Sequence, residues 1–342
     1  MKTYYIGLDV HCNSTEIAVE HRKKIVKRYQ VATTVDAIVG VLEEVGGRQH
    51  VALEEGPMAH WLYRNLTNKV HRLLVCDPRR NALIARDGDK DDPIDAGKLA
   101  ALLRGGFLRE VYHSDHDDRV ELKRWVELYH DRVREATRTI NRLRAQGRMY
   151  GIRLPAKMIK DAAYRQVWLD QLTERHLAGR LAAIGIGLDV AREQARRAKR
   201  QVLALTREHK ILRYWQALPG IGEIRAVTFL VYVDTPFRFR RKNKLWKYCG
   251  VGLVREASGT DRHGKPKPAR LKLEKHCNRR LKNVVMGAAI SATHQKMNPF
   301  RAKYEQLIAG GQTASNARHT VARDLATVMW GMWKSDSQYG KN

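Results

Sequence analysis

A chain of 342 residues has room for two or three domains, each able to bury a core without disulfides or metal staples. Its 64 Lys and Arg against 36 Asp and Glu give a formal net charge of +28 at pH 7, which points to a polyanionic partner, nucleic acid first. No apolar run approaches a membrane span and the N-terminus reads as a strand, so neither a membrane partner nor a signal peptide is expected and the location should be cytoplasmic.

In chain order, Tyr4 to Val10 reads as a short apolar strand ending in an acid, and Thr15 to Glu20 alternates as its hairpin partner. Ile25 to Ala32 adds a third strand, Val35 to Val45 a helix, His50 to Leu53 a buried strand, Trp61 to Lys69 a helix and Arg72 to Cys76 a strand. A helix from Pro93 to Leu103 follows. This order is that of an α/β RNase H-like domain, although β-α alternation also fits other α/β folds.

From Leu122 the pattern changes to a heptad stripe through Val126, Tyr129, Val133, Ala136, Ile140 and Leu143. A second stripe runs through Leu188, Ala191, Ala195, Ala198, Val202 and Leu205. Two long helices, read as a coiled coil, therefore occupy the middle, either spacing two domains or serving as a dimerisation arm. Beyond Tyr214 a Leu218–Gly222 LPGIG segment stands between helical stretches, then comes a Gly- and Lys-rich stretch from Arg238 to Lys282. The expected domains are 1–112, 113–214 and 215–342, the last mainly α-helical.

Charge follows this division. Residues 1 to 110 hold 17 Lys and Arg and 15 Asp and Glu, so the remainder carries +26. Chemistry and polyanion gripping are thus expected in different parts of the chain. The four cysteines, Cys12, Cys76, Cys249 and Cys277, stand apart without C-x-x-C spacing and read as reduced and structural.

Asp9 ends the first strand, Glu54 ends the later buried strand, and Asp92 and Asp95 stand three apart at the head of a helix, hence on one face. Convergent oxygen ligands suit hard divalent cations, and a pair of magnesium ions stabilises both the attacking and leaving oxygens of a phosphoryl displacement. The bland alternative is that Asp92 and Asp95 complement the helix dipole while Glu54 or its neighbour Glu55 is a solvated strand end.

Six segments carry a family resemblance: YIGLDVH from Tyr5, ALEEGPMAHW from Ala52, KDDPIDAGKLA from Lys90, LPGIGEIRA from Leu218, GVGLVREASGTDRHGK from Gly250 and NPFRAKYEQLIAGG from Asn298. In this order they resemble the insertion-sequence-110 family of transposases, across nearly the whole chain. The resemblance implies a RuvC-type DEDD domain with Asp9, Glu54, Asp92 and Asp95 as the magnesium-binding tetrad, a coiled coil, and a C-terminal transposase domain with a nucleophilic serine. Where the family reads Ser-Ser-Gly this chain has Ala257-Ser258-Gly259, leaving Ser258 as the candidate nucleophile. Lys275 to Asn278 reads KHCN in place of Lys-x-Gly-Asn, and no proline follows Leu253.

Residues 236 to 282 hold 16 Lys and Arg against three acids, a field suited to several phosphates and to charge developing on the scissile one. Candidate nucleic-acid contacts are Arg238, Arg240, Arg241, Lys242, Lys244, Lys265, Lys267 and Arg270, with Gly220 and Gly222 of a helix-hairpin-helix-like turn. His60, His263 and His276 are assigned no catalytic role.

The leading reading is DNA transposition through a serine-linked 5′-phosphate, with donor and target DNA as partners and assembly as a dimer or tetramer. The resemblance also implies a structured guide RNA. Consistent with it, no helix-turn-helix or zinc finger stands out to read bases. The alternatives are a RuvC-like junction endonuclease that hydrolyses DNA with water, and a non-enzymatic packaging protein, for which the acid-rich N-terminal third would be superfluous.

Overall fold

The computed structural model describes residues 2–78, 92–114, 116–256 and 270–339, the side chains of residues 92–94 and 270 excepted. The chain divides into two compact units, Met1–Asp115 and His116–Asn342.

The first unit runs β1 (Thr3–Val10), β2 (Ser14–His21), β3 (Lys24–Ala32), α1 (Val35–Val45), β4 (Arg48–Glu54), α2 (Ala59–Leu66), β5 (Arg72–Cys76) and α3 (Asp92–Gly105). Its strands form a sheet in the order β3-β2-β1-β4-β5. β1 is antiparallel to β2 and parallel to β4, and β5 is parallel to β4. Because side chains alternate along a strand, the sheet has two apolar faces. Ile6, Leu8, Val51, Leu53, Leu73 and Val75 pack against Ile38 and Leu42 of α1 and Leu62 and Leu66 of α2. Ala52, Leu74 and Cys76 pack on the other face against Leu99 and Leu103 of α3, with Tyr5 beside them. β3 is exposed along most of its length and carries Lys24, Lys27 and Arg28, charges that discourage a further strand from adding there.

The strands expected from the sequence fall within two residues of those found. Helix α2 starts two residues earlier than expected and ends three earlier, because its buried stripe is Ala59, Leu62 and Leu66. The unit is a mixed α/β sheet compatible with an RNase H-like domain, and the remainder of the chain is mostly helical.

The second unit begins with α4 (Asp117–Met149), α5 (Ala156–Lys160), α6 (Ala162–Asp170) and α7 (Arg175–Leu205). Helices α8 (Lys210–Gln216), α9 (Glu223–Val233) and α10 (Lys242–Tyr248) follow, then the hairpin β6 (Leu253–Glu256) and β7 (Arg270–Leu273). The chain closes with α11 (Arg279–His294), α12 (Pro299–Ala309) and α13 (Ala314–Ser335).

Helices α4 and α7 lie antiparallel: Arg132 donates to Gln194 (3.1 Å), and Arg180 donates to both Gln146 (3.1 Å) and the Tyr150 hydroxyl (2.8 Å). Leu143, Leu177, Leu181 and Leu188 form one core with Met158 and Leu169 towards the tip of this pair. At the other end Leu122, Val126 and Val202 join the core of Trp215, Phe229, Val285 and Met329. The base of the helical pair thus shares its core with the C-terminal helices. Within that core α9 is buried from Ala226 to Val233, and Trp215 stands edge-on to Phe229 while its Nε1 donates to the Met329 carbonyl (2.9 Å).

Along the expected heptad stripe Leu122, Val126, Ala136 and Leu143 are buried, whereas Val133 is exposed. Helix α7 starts at Arg175, well before the stripe that begins at Leu188. Gly179, Gly185 and Gly187 obscure its first half, since glycine disfavours a helix by roughly 1 kcal/mol relative to alanine. At Gly185 the missing side chain makes room for buried Arg165, which pairs with Asp189.

Candidate catalytic cleft

Strands β1 and β4 run parallel in register Leu8 to Leu53, so their next residues, Asp9 and Glu54, emerge at the same edge of the sheet. Strand parity puts both on the face covered by α3, with Gly7 and Ala52. The helix can reach that face because of Gly7: a Cβ there would come within 2.1 Å of the Ala96 carbonyl oxygen and 2.9 Å of the Ala100 nitrogen. Ala96, Leu99, Ala100 and Leu103 supply the buried stripe that seats the helix, spaced i, i+3, i+4 and i+7. Farther along, Arg104 pairs with Glu20 of β2, whose side chain is buried. This seating brings Asp95 to the sheet edge. Leu8, Asp9, Glu54, Asp95 and Leu99 line a cleft of about 50 Å³.

Neighbouring acids are directed differently. Glu55 accepts from His113 Nε2 (2.8 Å), and the almost fully buried His113 ring lies against His60 and Tyr63. Glu54 lines the cleft instead. His11 pairs with Asp9 through Nε2 and Oδ2 at 3.2 Å. The i, i+2 spacing of Asp9 and His11 was the available sequence signal for that contact, whereas nothing local in the sequence links Glu55 to His113, 58 residues away.

Asp92 heads the same helix three residues before Asp95, and its side chain lies outside the described residues. Among the described residues no three His, Cys, Asp or Glu side chains converge closely enough, as they stand, to hold a metal ion. Three carboxylate-bearing residues from three elements nonetheless open on one cleft, and their hard oxygen donors fit a cation such as magnesium in kind.

Ser258, Lys265 and Lys267 lie outside the described residues. The flanking strands are described: β6 and β7 pair from Leu253 with Leu273 to Glu256 with Arg270, so the segment holding the serine leaves and returns at one end of a hairpin. That hairpin was not expected. Its strands are four residues long, too short for alternation to stand out from a Gly- and Lys-rich stretch. Lys272 of β7 and, after the hairpin, Lys275, Arg279 and Lys282 line an open cavity of about 720 Å³ with Cys277 and Asn283. Asn278 caps α11 by accepting from the Leu281 amide (3.0 Å) and donates to the Tyr248 hydroxyl (3.2 Å).

Arg240, Arg241, Lys242 and Lys244 are exposed at the start of α10. Arg238 is turned inward, donating to the Tyr232 carbonyl (2.9 Å) and lying over the Tyr248 ring. Arg270 is in β7, its side chain outside the description. Gly220 has φ +79° and backs onto α11, where a Cβ would meet the Ala288 carbonyl oxygen at 2.3 Å, while Gly222 caps α9 with open space around it. The four cysteines form no disulfide, and burial pushes the Cys249 thiol up from its ordinary range. No helix among the described residues is long and apolar enough to cross a membrane.

Two segments of the chain match known families. Residues 6–148 match a DEDD-type profile described as "Transposase", and residues 213–305 match one described as "Transposase IS116/IS110/IS902 family". A protein of Sinorhizobium fredii (strain NBRC 101917 / NGR234) that carries a transposase name, y4qE, is 25% identical, the match covering 98% of this chain and 89% of that one.

Proposed function

This chain belongs to the IS110 family of transposases, and from that premise we propose that it cuts and rejoins DNA using Ser258 as nucleophile and the Asp9, Glu54, Asp92 and Asp95 carboxylates as the holders of magnesium. Membership makes DNA the substrate and strand cutting the chemistry. The observation that carries the finer reading is the meeting of Asp9, Glu54 and Asp95 from β1, β4 and α3 on one cleft.

In this mechanism the Ser258 hydroxyl loses its proton and its Oγ forms a bond to the scissile phosphorus. The bond from phosphorus to the 3′ oxygen breaks, leaving a 5′-phosphoserine linkage and a free 3′-hydroxyl once that oxygen takes up a proton. An incoming 3′-hydroxyl reverses the step on the other duplex, so bond energy is conserved and strands are exchanged. Bound magnesium would neutralise charge on the phosphate oxygens. Asp9, Glu54, Asp92 and Asp95 hold and orient the cation, and the exposed Arg240, Arg241, Lys242 and Lys244 hold the DNA backbone without reading sequence. Sequence choice comes from a structured guide RNA pairing with donor and target, and the working form is a homo-oligomer, a dimer or a tetramer.

The test is a denaturing gel after incubation of the protein with labelled DNA of the element's ends, magnesium and the transcript from the flanking DNA. A covalent protein-DNA adduct is expected for the wild type and is lost in Ser258→Ala, with nucleic-acid binding retained. Cleaved ends without any adduct would support a water-using, RuvC-like junction endonuclease instead. Insertion that keeps its site after the RNA's complementary loop is changed would overturn RNA guidance.

A further inference from the structure

We propose that the tip of the α4–α7 helical pair is a binding site for an unpaired nucleotide of single-stranded nucleic acid, built from residues other than those assigned to the cleft or to the nucleophile. From Ala136 to Lys160 the chain carries seven Lys and Arg and no acid. Asp161, which ends this run, is used locally: its side chain accepts from the Tyr164 amide to cap α6. Of the seven, Arg138 and Arg142 pair with Glu135 just before the run, which leaves Arg144, Arg148, Arg153, Lys157 and Lys160 towards the tip without a carboxylate partner among the described residues.

The same stretch forms a concave surface. Beyond α4 the backbone folds back at once, the Ile152 amide donating to the Gly147 carbonyl (2.9 Å). This return depends on Gly147, where a Cβ would come within 2.7 Å of the Ile152 oxygen and 2.9 Å of Leu154 Cγ. The result is a cavity of about 700 Å³ whose apolar wall is Ile152, Leu154, Pro155 and Ile159 and whose cations are Arg144, Arg148 and Arg153. Arg144 and Arg148 are four apart on α4 and project from one face. All three arginines are exposed, and none has a carboxylate partner among the described residues.

An apolar wall with guanidinium groups at its rim suits a planar base flanked by phosphates, and guanidinium planes also stack on bases. In a duplex the base faces are already covered, so the cavity calls for an unpaired nucleotide. A second copy of the tip is disfavoured by like charge. Its lining includes none of the residues assigned to strand exchange, and the proposal rests on the reading of this chain as a nucleic-acid enzyme only in requiring that it bind such strands.

The experiment uses the full-length protein and a single-stranded oligonucleotide carrying photoreactive 5-iodouracil, with crosslinks mapped by mass spectrometry. Binding by the wild type tests the nucleic-acid reading itself, and the position of the crosslink tests the tip. Crosslinks are expected within residues 144–159, falling about tenfold or more when the labelled position is held in a duplex. In the variant Arg144→Gln/Arg148→Gln/Arg153→Gln the tip crosslink is lost, and the slope of log affinity against log salt falls by about 2, from roughly 0.7 per phosphate contact. Crosslinks confined to other segments, equal tip crosslinking in duplex, or an unchanged salt slope in the triple variant would overturn the proposal. An acidic peptide that competes more strongly than the oligonucleotide would also overturn it.

Discussion

In the sheet unit the acids proposed to hold the cation sit near strand and helix ends, beside residues that are fully buried: Asp9 follows Leu8, Glu54 follows Leu53, and Asp95 precedes Ala96. In the helical unit the cations proposed to hold nucleic acid stand on exposed surfaces, as at Arg144, Arg148, Arg241 and Lys242. The difference matches the two proposed tasks. Ligands for a small cation must converge within a few ångströms, which requires rigid backbone held by a packed core. Holding a phosphate backbone tolerates long, mobile side chains whose strength lies in their number. The first arrangement is broken by altering the core beneath it, the second only by removing several charges.

The largest effect separating the two units should come from Trp215→Ala, at about 3–5 kcal/mol of stability for a buried aromatic. The described residues of the core that Trp215 fills all belong to the helical unit. Hydrogen exchange should therefore accelerate in α9 and α13 while β1 amides keep their protection, and equal acceleration in both would erase the distinction. Next comes Gly7→Ala, which forces a Cβ against the backbone of α3. Overpacking of this kind costs about 1–3 kcal/mol, and faster exchange in α3 together with lost strand cleavage is expected. Native cleavage rates in this variant would show that the close seating of α3 is not what builds the cleft.

The parts legible in the sequence were those governed by a short period. Alternation in β2 and the short apolar runs ending in an acid in β1 and β4 revealed the strands, while the choice between Glu54 and Glu55 stayed open in the sequence. The i, i+3 spacing of Asp92 and Asp95 needed only a helix. What stayed hidden depended on partners far along the chain. Gly7 reads as an ordinary glycine until α3, some 90 residues later, is laid upon it. Gly185 weakens the helical pattern of α7 because its purpose is to admit Arg165. The β6–β7 hairpin is too short for its alternation to register, and Arg238, one of a basic run, proved to be turned inward.

A smaller effect concerns pH and belongs to the helical unit alone. Thr228 donates its hydroxyl proton to the Ile224 carbonyl (2.6 Å), so it accepts from His130 Nε2 (3.0 Å). Burial, and then the Arg280 guanidinium, pushes His130 down to about 4. The folded state thus favours neutral His130. Its contribution is complete above the ordinary histidine pKa of 6.5 and is lost as pH falls from there towards 4. Thermal unfolding of the helical unit should show this loss in the wild type and a flatter pH dependence in His130→Gln, whose amide can still donate to Thr228. An unchanged pH dependence in the variant would assign the titration elsewhere.

The smallest effect is expected from Glu55→Gln. Glu55 is turned to His113 and away from the cleft, so cleavage should change by about threefold or less, roughly 0.7 kcal/mol in the barrier. A loss as great as that from Glu54→Gln would reverse the assignment of the two neighbours.

On the proposed mechanism Asp9, Glu54 and Asp95 act as one site. The most direct measurement is the magnesium-dependent cleavage rate on DNA of the element's ends, taken for the wild type and for Asp9→Asn, Glu54→Gln and Asp95→Asn, with thermal unfolding of each recorded alongside. Each variant should lose on the order of 10²-fold or more in rate while unfolding at nearly the wild-type temperature. Wild-type cleavage by any two of the three at ordinary magnesium concentration would contradict the claim.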